Sequence, residues 1–301
     1  MRTEICKIVD DKIYSKYNRF KFDREFGEGI DAITKDWDNL IILDACRYDY
    51  FAEQIDIDGS LEQVISKGGR SWEFMEANFV GRELHDTVYV TANLHVEKLD
   101  DDVFYTVETV PASKRNPEHV VKAAKEAHKK YPDKRLIVHF MQPHRPYLGP
   151  TADKARDQLN DNFLRYTAGV QEGAKHTKPK IDFSAFRYGE LPIEWLYELY
   201  EENLDIALDH TYELLEFIDG KSVITADHGE LLGERKGIFG QRKFGHPGNI
   251  KTPEAYIVPW FTIKSKQRRE ILADEPIGWD RLDDEVVKNR LRELGYLEPG
   301  I

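Results

Sequence analysis

Apolar residues in this chain gather into short β-branched runs, and the longer stretches between them carry apolar positions at intervals of three and four. The runs fall at residues 39–45, 87–91, 135–140, 222–226 and 255–263. Unbroken apolar runs of that length predict strands with both faces covered. Helical spacing marks residues 117–130 and 192–218. In the longer of these, Leu196, Leu199, Tyr200, Leu204, Ala207, Leu208, Leu214, Leu215 and Ile218 lie near one stripe, and Gly220 offers a C-terminal stop. Alternating strands and helices predict an α/β fold, with a mostly parallel central sheet flanked by helices on both faces.

Residues 1–38 are charged and mixed, which predicts an N-terminal helical extension. Residues 280–296 predict a closing helix, with Asp283, Asp284 and Glu285 favouring its N-terminal end. Residues 145–191 break the rhythm: they are polar, with Tyr147, Phe163, Tyr166, Phe183 and Phe186 scattered among Gly, Pro and Lys. That length exceeds an ordinary α/β connection and predicts a lid insertion. No linker divides the chain, so residues 1–301 read as a single domain.

Composition narrows the function classes. At 301 residues and 41% hydrophobic content, the chain builds a substantial core. Its net charge of -12 disfavours broad nucleic-acid binding, because a polyanion is repelled without a strong basic patch. Only Cys6 and Cys46 are present, too few for a disulfide framework. No run approaches the roughly 18 apolar residues of a membrane span. The charged first residues do not read as a signal peptide. The expectation is a cytoplasmic protein without a membrane span, its oligomeric state open.

The candidate chemistry lies where the strands end. The run through Leu43 ends in Asp44, and the run through Ala226 ends in Asp227 and His228. Ligands in open α/β folds gather at that edge, and carboxylate oxygens with neutral imidazoles suit a divalent cation. His144 follows the run at 135–140, while His139 lies within it and reads as a core histidine. His246, between Gly245 and Pro247, sits in a tight loop. Ser71 follows Gly68, Gly69 and Arg70 at a turn that opens a helix, where free backbone donors and the helix dipole favour an anion. Each also has a plainer reading. Asp44 and Ser71 serve equally as helix N-caps, and Arg47 serves equally as an ion-pair partner for Asp49 or as a clamp on substrate oxygens.

In chain order, Asp44, Ser71, His144 in "QPHRPY", Asp227-His228-Gly229-Glu230 in "TADHGE", then Phe244-Gly245-His246-Pro247, these motifs resemble the alkaline phosphatase/sulfatase superfamily. They look most like its sulfatase-like branch, over residues 39–263. The resemblance implies a metal-bound nucleophile with one or two divalent ions. Carried over residue by residue, it implies that Asp44, Asp227 and His228 hold a metal that also binds Ser71, the nucleophile. His144 and His246 would complete a second metal site or grip substrate oxygens. Two departures modify this. The formylglycine signature is absent, since Arg47-Tyr48-Asp49 follow Cys46 and Trp72-Glu73-Phe74 follow Ser71. Gln142 stands where many relatives have aspartate, which weakens a second dication site.

The resulting expectation is one firm metal site with a second possible. Zinc or manganese is the expected ion, with magnesium or calcium as alternatives. Arg47, His144 and His246 are expected on the substrate. The function implied is metal-dependent hydrolysis or transfer of a phosphate mono- or diester through a seryl intermediate. The partner is a small anionic ester, including one on a glycan or lipid head group. Two alternatives stand beside it: a sulfuric ester hydrolase using the same site, and a catalytically silent relative that binds an anion or glycan.

Overall fold

The computed structural model describes residues 15–111, 116–167, 180–237, 240–248, 250–265, 267–281 and 287, with residues 161–167 described by backbone alone. The start of the N-terminal extension, residues 168–179 of the predicted lid and most of the predicted closing helix lie outside these residues.

Nine strands are described: β1 (Asn39–Asp44), β2 (Ser60–Ile65), β3 (Leu84–Thr91), β4 (Phe104–Thr109), β5 (Arg135–Pro143), β6 (Ser222–Ala226), β7 (Leu231–Lys236), β8 (Gln241–Gly245) and β9 (Ile257–Ile263). Seven of them form one sheet in the order β2-β9-β6-β1-β5-β3-β4, and β7 pairs with β8 in a separate hairpin. β1 runs parallel to β5 and β6, and β3 parallel to β4 and β5. β9 is antiparallel to both β2 and β6, so the sheet is mixed at that edge.

The helices are α1 (Ser15–Phe26), α2 (Tyr48–Gln54), α3 (Ser71–Phe79), α4 (Pro117–Lys130), α5 (Gly149–Thr167), α6 (Phe183–Arg187), α7 (Ile193–Leu215) and α8 (Pro253–Tyr256). Alternate strand residues feed two cores. Ile41, Leu43, Val88, Val138, Phe140 and Ile224 pack with Val120 and Ala124 of α4 and with Leu204 and Leu208 of α7. Leu40, Ile42, Tyr89, Ile137 and Val223 pack on the opposite face with Phe74, Met75 and Phe79 of α3. Because both faces are covered, the strand sequences lack alternation and read as continuous apolar runs.

One feature differs from the pattern-based expectation. Residues 255 and 256 belong to α8, because Pro253 opens a turn in which Ala255 and Tyr256 donate to the Thr252 carbonyl. Among the described residues of the insertion, α5 and α6 pack on α7 through Tyr147, Ala152, Ala155, Ala185, Phe186, Leu196 and Tyr200.

Candidate metal and nucleophile site

The site forms at the C-terminal ends of β1, β5 and β6, which are central and parallel. There β1 ends in Asp44 and then turns sharply, Ala45 taking φ +62°. That left-handed conformation costs an alanine on the order of 1 kcal/mol. Its neighbours hold it there: Ala45 N–H donates to Asp227 Oδ1 at 3.0 Å, and Tyr200 Oη donates to Ala45 O at 2.6 Å. Asp227 Oδ1 also accepts from His228 N–H at 2.8 Å. Asp44 Oδ2 accepts from Asn93 Nδ2 at 3.0 Å. The remaining Asp227 oxygen, Oδ2, is buried and lies 3.5 Å from His228 Nε2 and 3.5 Å from His139 Nε2. Asp44, Asp227 and His228 offer ligand atoms all within 4.8 Å of one another.

Ser71 joins this trio. It is the first residue of α3, fully buried, with Oγ 3.4 Å from Asp44 Oδ2 and 3.4 Å from His228 Nε2. Arg70 occupies the N-cap without a side-chain cap bond, and Glu73 accepts the turn's Gly69 N–H at 2.9 Å. The Ser71 hydroxyl is therefore not spent on capping. Ser66, the other serine of the segment, is used structurally: its Oγ donates to the Asp227 carbonyl and accepts from Gly68 N–H.

A second trio abuts the first. His144, Glu230 and His246 also offer ligand atoms within 4.8 Å of one another, and the His246 ring centre lies 4.8 Å from that of His228 and 5.5 Å from that of His144. His144 lies between two cis peptides, Gln142–Pro143 and Arg145–Pro146. Asn203 of α7 clamps this loop, its Nδ2 donating to the carbonyls of Pro143 at 2.9 Å and His144 at 3.1 Å while its Oδ1 accepts from Leu148 N–H at 2.9 Å. His246 follows β8, and the backbone carbonyl of His246 accepts from Arg70 Nε at 3.1 Å. Phe183 of the insertion packs against Phe244 and carries Arg145 over its ring at 4.3 Å. The insertion thus supports the loops of this second trio.

Electrostatics separate the groups. Burial would raise the Asp227 carboxyl, yet His228 and His139 beside it hold it well below the usual range, so it is ionised. Burial, then the cation of Arg145, keeps His144 well below the usual histidine range, and burial with His228, His144 and Arg70 does the same for His246. In the second trio the neutral imidazoles of His144 and His246 are the form that binds a cation. Glu230 differs: burial pushes its carboxyl up to about 8, and neither of its oxygens accepts a hydrogen bond from the described residues. A buried carboxyl with two unsatisfied oxygens, facing His144 Nε2 at 3.7 Å, is a costly arrangement that a cation would relieve. The donor sets of both trios fit divalent metals.

Most residues expected at the site meet there: Asp44, Ser71, Asp227 and His228 in one group, His144 and His246 beside it. Arg47 takes the ion-pair arrangement that was the plainer of its two readings. Asp49 takes its Nε and Nη2 at 2.9 and 2.6 Å, and Glu234 takes Nη1. The guanidinium also lies 5.0 Å from the centre of the Tyr50 ring. Its guanidinium is held in an ion-pair network beside Glu230. Glu230 and Asn203 were not anticipated. Glu230 had one available signal, an acid directly before the apolar pair Leu231-Leu232. His139 is a buried strand histidine as expected, bonded through Nδ1 to Tyr89 Oη at 2.7 Å, and it also flanks Asp227.

No family model and no curated protein matches the chain. Solved structures do. The chain is similar to the C-terminal periplasmic domain of EcEptC from Escherichia coli, at 15% identity and TM-score 0.48 over 79% of this chain and 75% of that one. It is similar to a 2-O GAG sulfatase at 12% identity and TM-score 0.42, over 87% of this chain and 71% of that one. It is similar to a protein in the alkaline phosphatase superfamily from Vibrio parahaemolyticus, at 13% identity and TM-score 0.43 over 81% and 61%. At such identities the chemistry rests on the side chains of this chain.

Proposed function

We propose that the protein is a metal-dependent enzyme that hydrolyses or transfers a phosphate ester through a covalent intermediate on Ser71. The carrying observation is that Ser71, at the start of a helix, forgoes capping and sets its hydroxyl 3.4 Å from both Asp44 and His228 in a buried cluster. Asp44, Asp227 and His228 would hold a divalent ion, zinc or manganese by donor type, whose positive charge favours the ionised serine and offsets charge developing on the phosphoryl oxygens. Ser71 Oγ forms a bond to phosphorus as the ester P–O bond breaks, and the departing alcohol leaves with a proton. Water or an acceptor hydroxyl then displaces Ser71 from phosphorus. The N-terminus of α3 favours the anion, and Arg70 and Arg145, both of which bear on His246, are better placed than Arg47 to meet substrate oxygens.

Glu230 changes the balance of the second trio. With Asp44 and Asp227 alone, two dications would face two carboxylates; Glu230 makes three. In this reading His144, Glu230 and His246 hold a second, weaker cation, in place of the one-metal arrangement in which both histidines only grip substrate. A cytoplasmic placement belongs to the same reading and rests on sparse cysteine, Cys46 being a buried free thiol.

The test is turnover of an aryl phosphate and an aryl sulfate in parallel by metal-loaded protein, with metal content and intact mass measured. Phosphate turnover with an unmodified Ser71 is the expected result. Sulfate turnover alone would replace it with the sulfuric ester hydrolase, and neither activity with no bound metal would leave the silent anion-binding relative.

A further inference from the structure

We propose that α1 is a docking surface for an anionic lipid bilayer. Its inner edge is buried: Phe22 packs on Tyr256 of α8 at 5.4 Å and on Phe26 at 4.7 Å. Helical spacing turns Lys16, Tyr17, Phe20, Lys21 and Arg24 to the opposite side, and all five are exposed, Tyr17 at 62% and Phe20 at 66%. That side carries three cations and two aromatics, and the acid at its margin, Asp23, is paired with Lys251. None of the three cations has an ion-pair partner among the described residues. Elsewhere in the chain acids prevail, with a net charge of -12. Basic side chains interleaved with aromatic rings are what the headgroup layer of an anionic bilayer takes up. Remote acids oppose this little, because at physiological salt a surface feels charges within about 8 Å.

The position of α1 gives the surface a purpose. Asn18 Oδ1 accepts from Lys251 N–H at 2.7 Å, and Asp23 pairs with Lys251 Nζ at 2.7 Å, only five residues beyond His246. The Tyr256 ring on which Phe22 rests lies against Gly69, so closely that an added Cβ there would come within 2.7 Å of it. The helix is thus fixed beside both the turn that presents Ser71 and the loop that carries His246. A chain resting on α1 would bring its site to esters borne on lipids. That last step rests on the function proposed above; the docking surface does not.

Sedimentation of the full chain with vesicles tests it. Vesicles of phosphatidylcholine mixed with phosphatidylglycerol should carry the protein down, phosphatidylcholine alone should not, and added salt should release it. Neutralising the face as Lys16→Gln/Lys21→Gln/Arg24→Gln removes three charges, each adding about fivefold to partition, so binding should fall roughly a hundredfold. Tyr17→Ala/Phe20→Ala should weaken it as well, and both variants should turn over a soluble aryl phosphate as the parent does. Ser71→Ala should bind vesicles normally with that turnover gone, which separates failure of docking from failure of the site. Undiminished sedimentation of the neutralised variant overturns the proposal. So does binding to soluble heparin without binding to the vesicles.

Discussion

Asp44, Asp227 and His228 stand at the ends of central strands, whereas His144, Glu230 and His246 stand on loops that other parts of the molecule hold in place. The first trio inherits the rigidity of the sheet: β1 and β6 are neighbours in register from Asn39↔Ser222 to Leu43↔Ala226, and both aspartates accept hydrogen bonds that fix them. The second trio borrows its shape. Asn203 of α7 holds the His144 loop, the β7–β8 hairpin carries His246, and the Arg47–Glu234 pair lies under Glu230. Charge follows the same division, since Asp227 is ionised while burial leaves the Glu230 carboxyl raised to about 8. A site assembled in this way has a strong half and an adjustable half.

The largest effects should fall on the strong half. Ser71→Ala is expected to cut turnover of an aryl phosphate by roughly four orders of magnitude, with the trio's metal retained. Asp227→Ala should remove both the metal and the activity while the fold persists, because the side chain sits at a strand end. Metal analysis beside kinetics and circular dichroism checks the pair. Normal activity in a folded Asp227→Ala protein would sink the site assignment.

On the adjustable half the expected losses are smaller and more selective. Glu230→Gln keeps the shape and removes the charge, so affinity for a second cation should drop while the first stays bound. The outer partners of metal sites are worth roughly 10- to 100-fold in affinity, and a direct ligand should cost at least that. Titration of the metal-free protein with zinc reads the two sites separately. A single site in the parent protein, unchanged by Glu230→Gln, would return His144 and His246 to the role of substrate donors.

Smaller again is the effect expected of Asn203→Ala. Three carbonyls of the His144 loop lose their donor, the Pro146 contact at 3.4 Å being the weakest. Each buried hydrogen bond contributes about 1 kcal/mol, so the melting temperature should fall by a few degrees and KM should rise more than kcat falls. An unchanged KM would show that the loop does not depend on this clamp.

The contrast between the two halves also explains what could be read in advance. Strand ends announce themselves, because an apolar run stopping at Asp44 or Asp227 marks both the element and the candidate ligand. α4 was legible to the residue at 117–130, its stripe of Val120, Val121, Ala124 and Ala127 being unambiguous. Loop-borne groups give no such signal. Asn203 looks like a polar residue in a helix until the loop it bonds is known. β7 and β8 are short, charged and irregularly paired, and β2 is an edge strand with exposed and half-buried positions and none fully buried, so none reads as a buried run. The positive φ of Ala45 leaves no trace in sequence at all, since it is imposed by Asp227 and Tyr200 from far along the chain.

The smallest prediction concerns how the strong half tolerates acid. Asp31 accepts from Arg82 Nη1 and from Lys67 Nζ, each at 3.0 Å, and so ties down the segment that leads through Gly68 and Gly69 to Ser71. Burial alone would raise its carboxyl, but the bonds from Arg82 and Lys67 prevail and hold it down from 3.8 to about 2. A carboxyl lowered in the folded state stabilises the fold at any pH above its unfolded value. That contribution is lost as pH falls from about 4 toward about 2. Discounted for solvent screening it is worth on the order of 1 kcal/mol. Asp31→Asn should therefore melt lower than the parent at neutral pH and approach it as pH drops through this window. Thermal melts of the two proteins from neutral to acid pH provide the measurement. A gap that stays constant with pH would mean that Asp31 contributes through shape alone, and the turn before Ser71 would then owe its stability to Ser66 and Glu73.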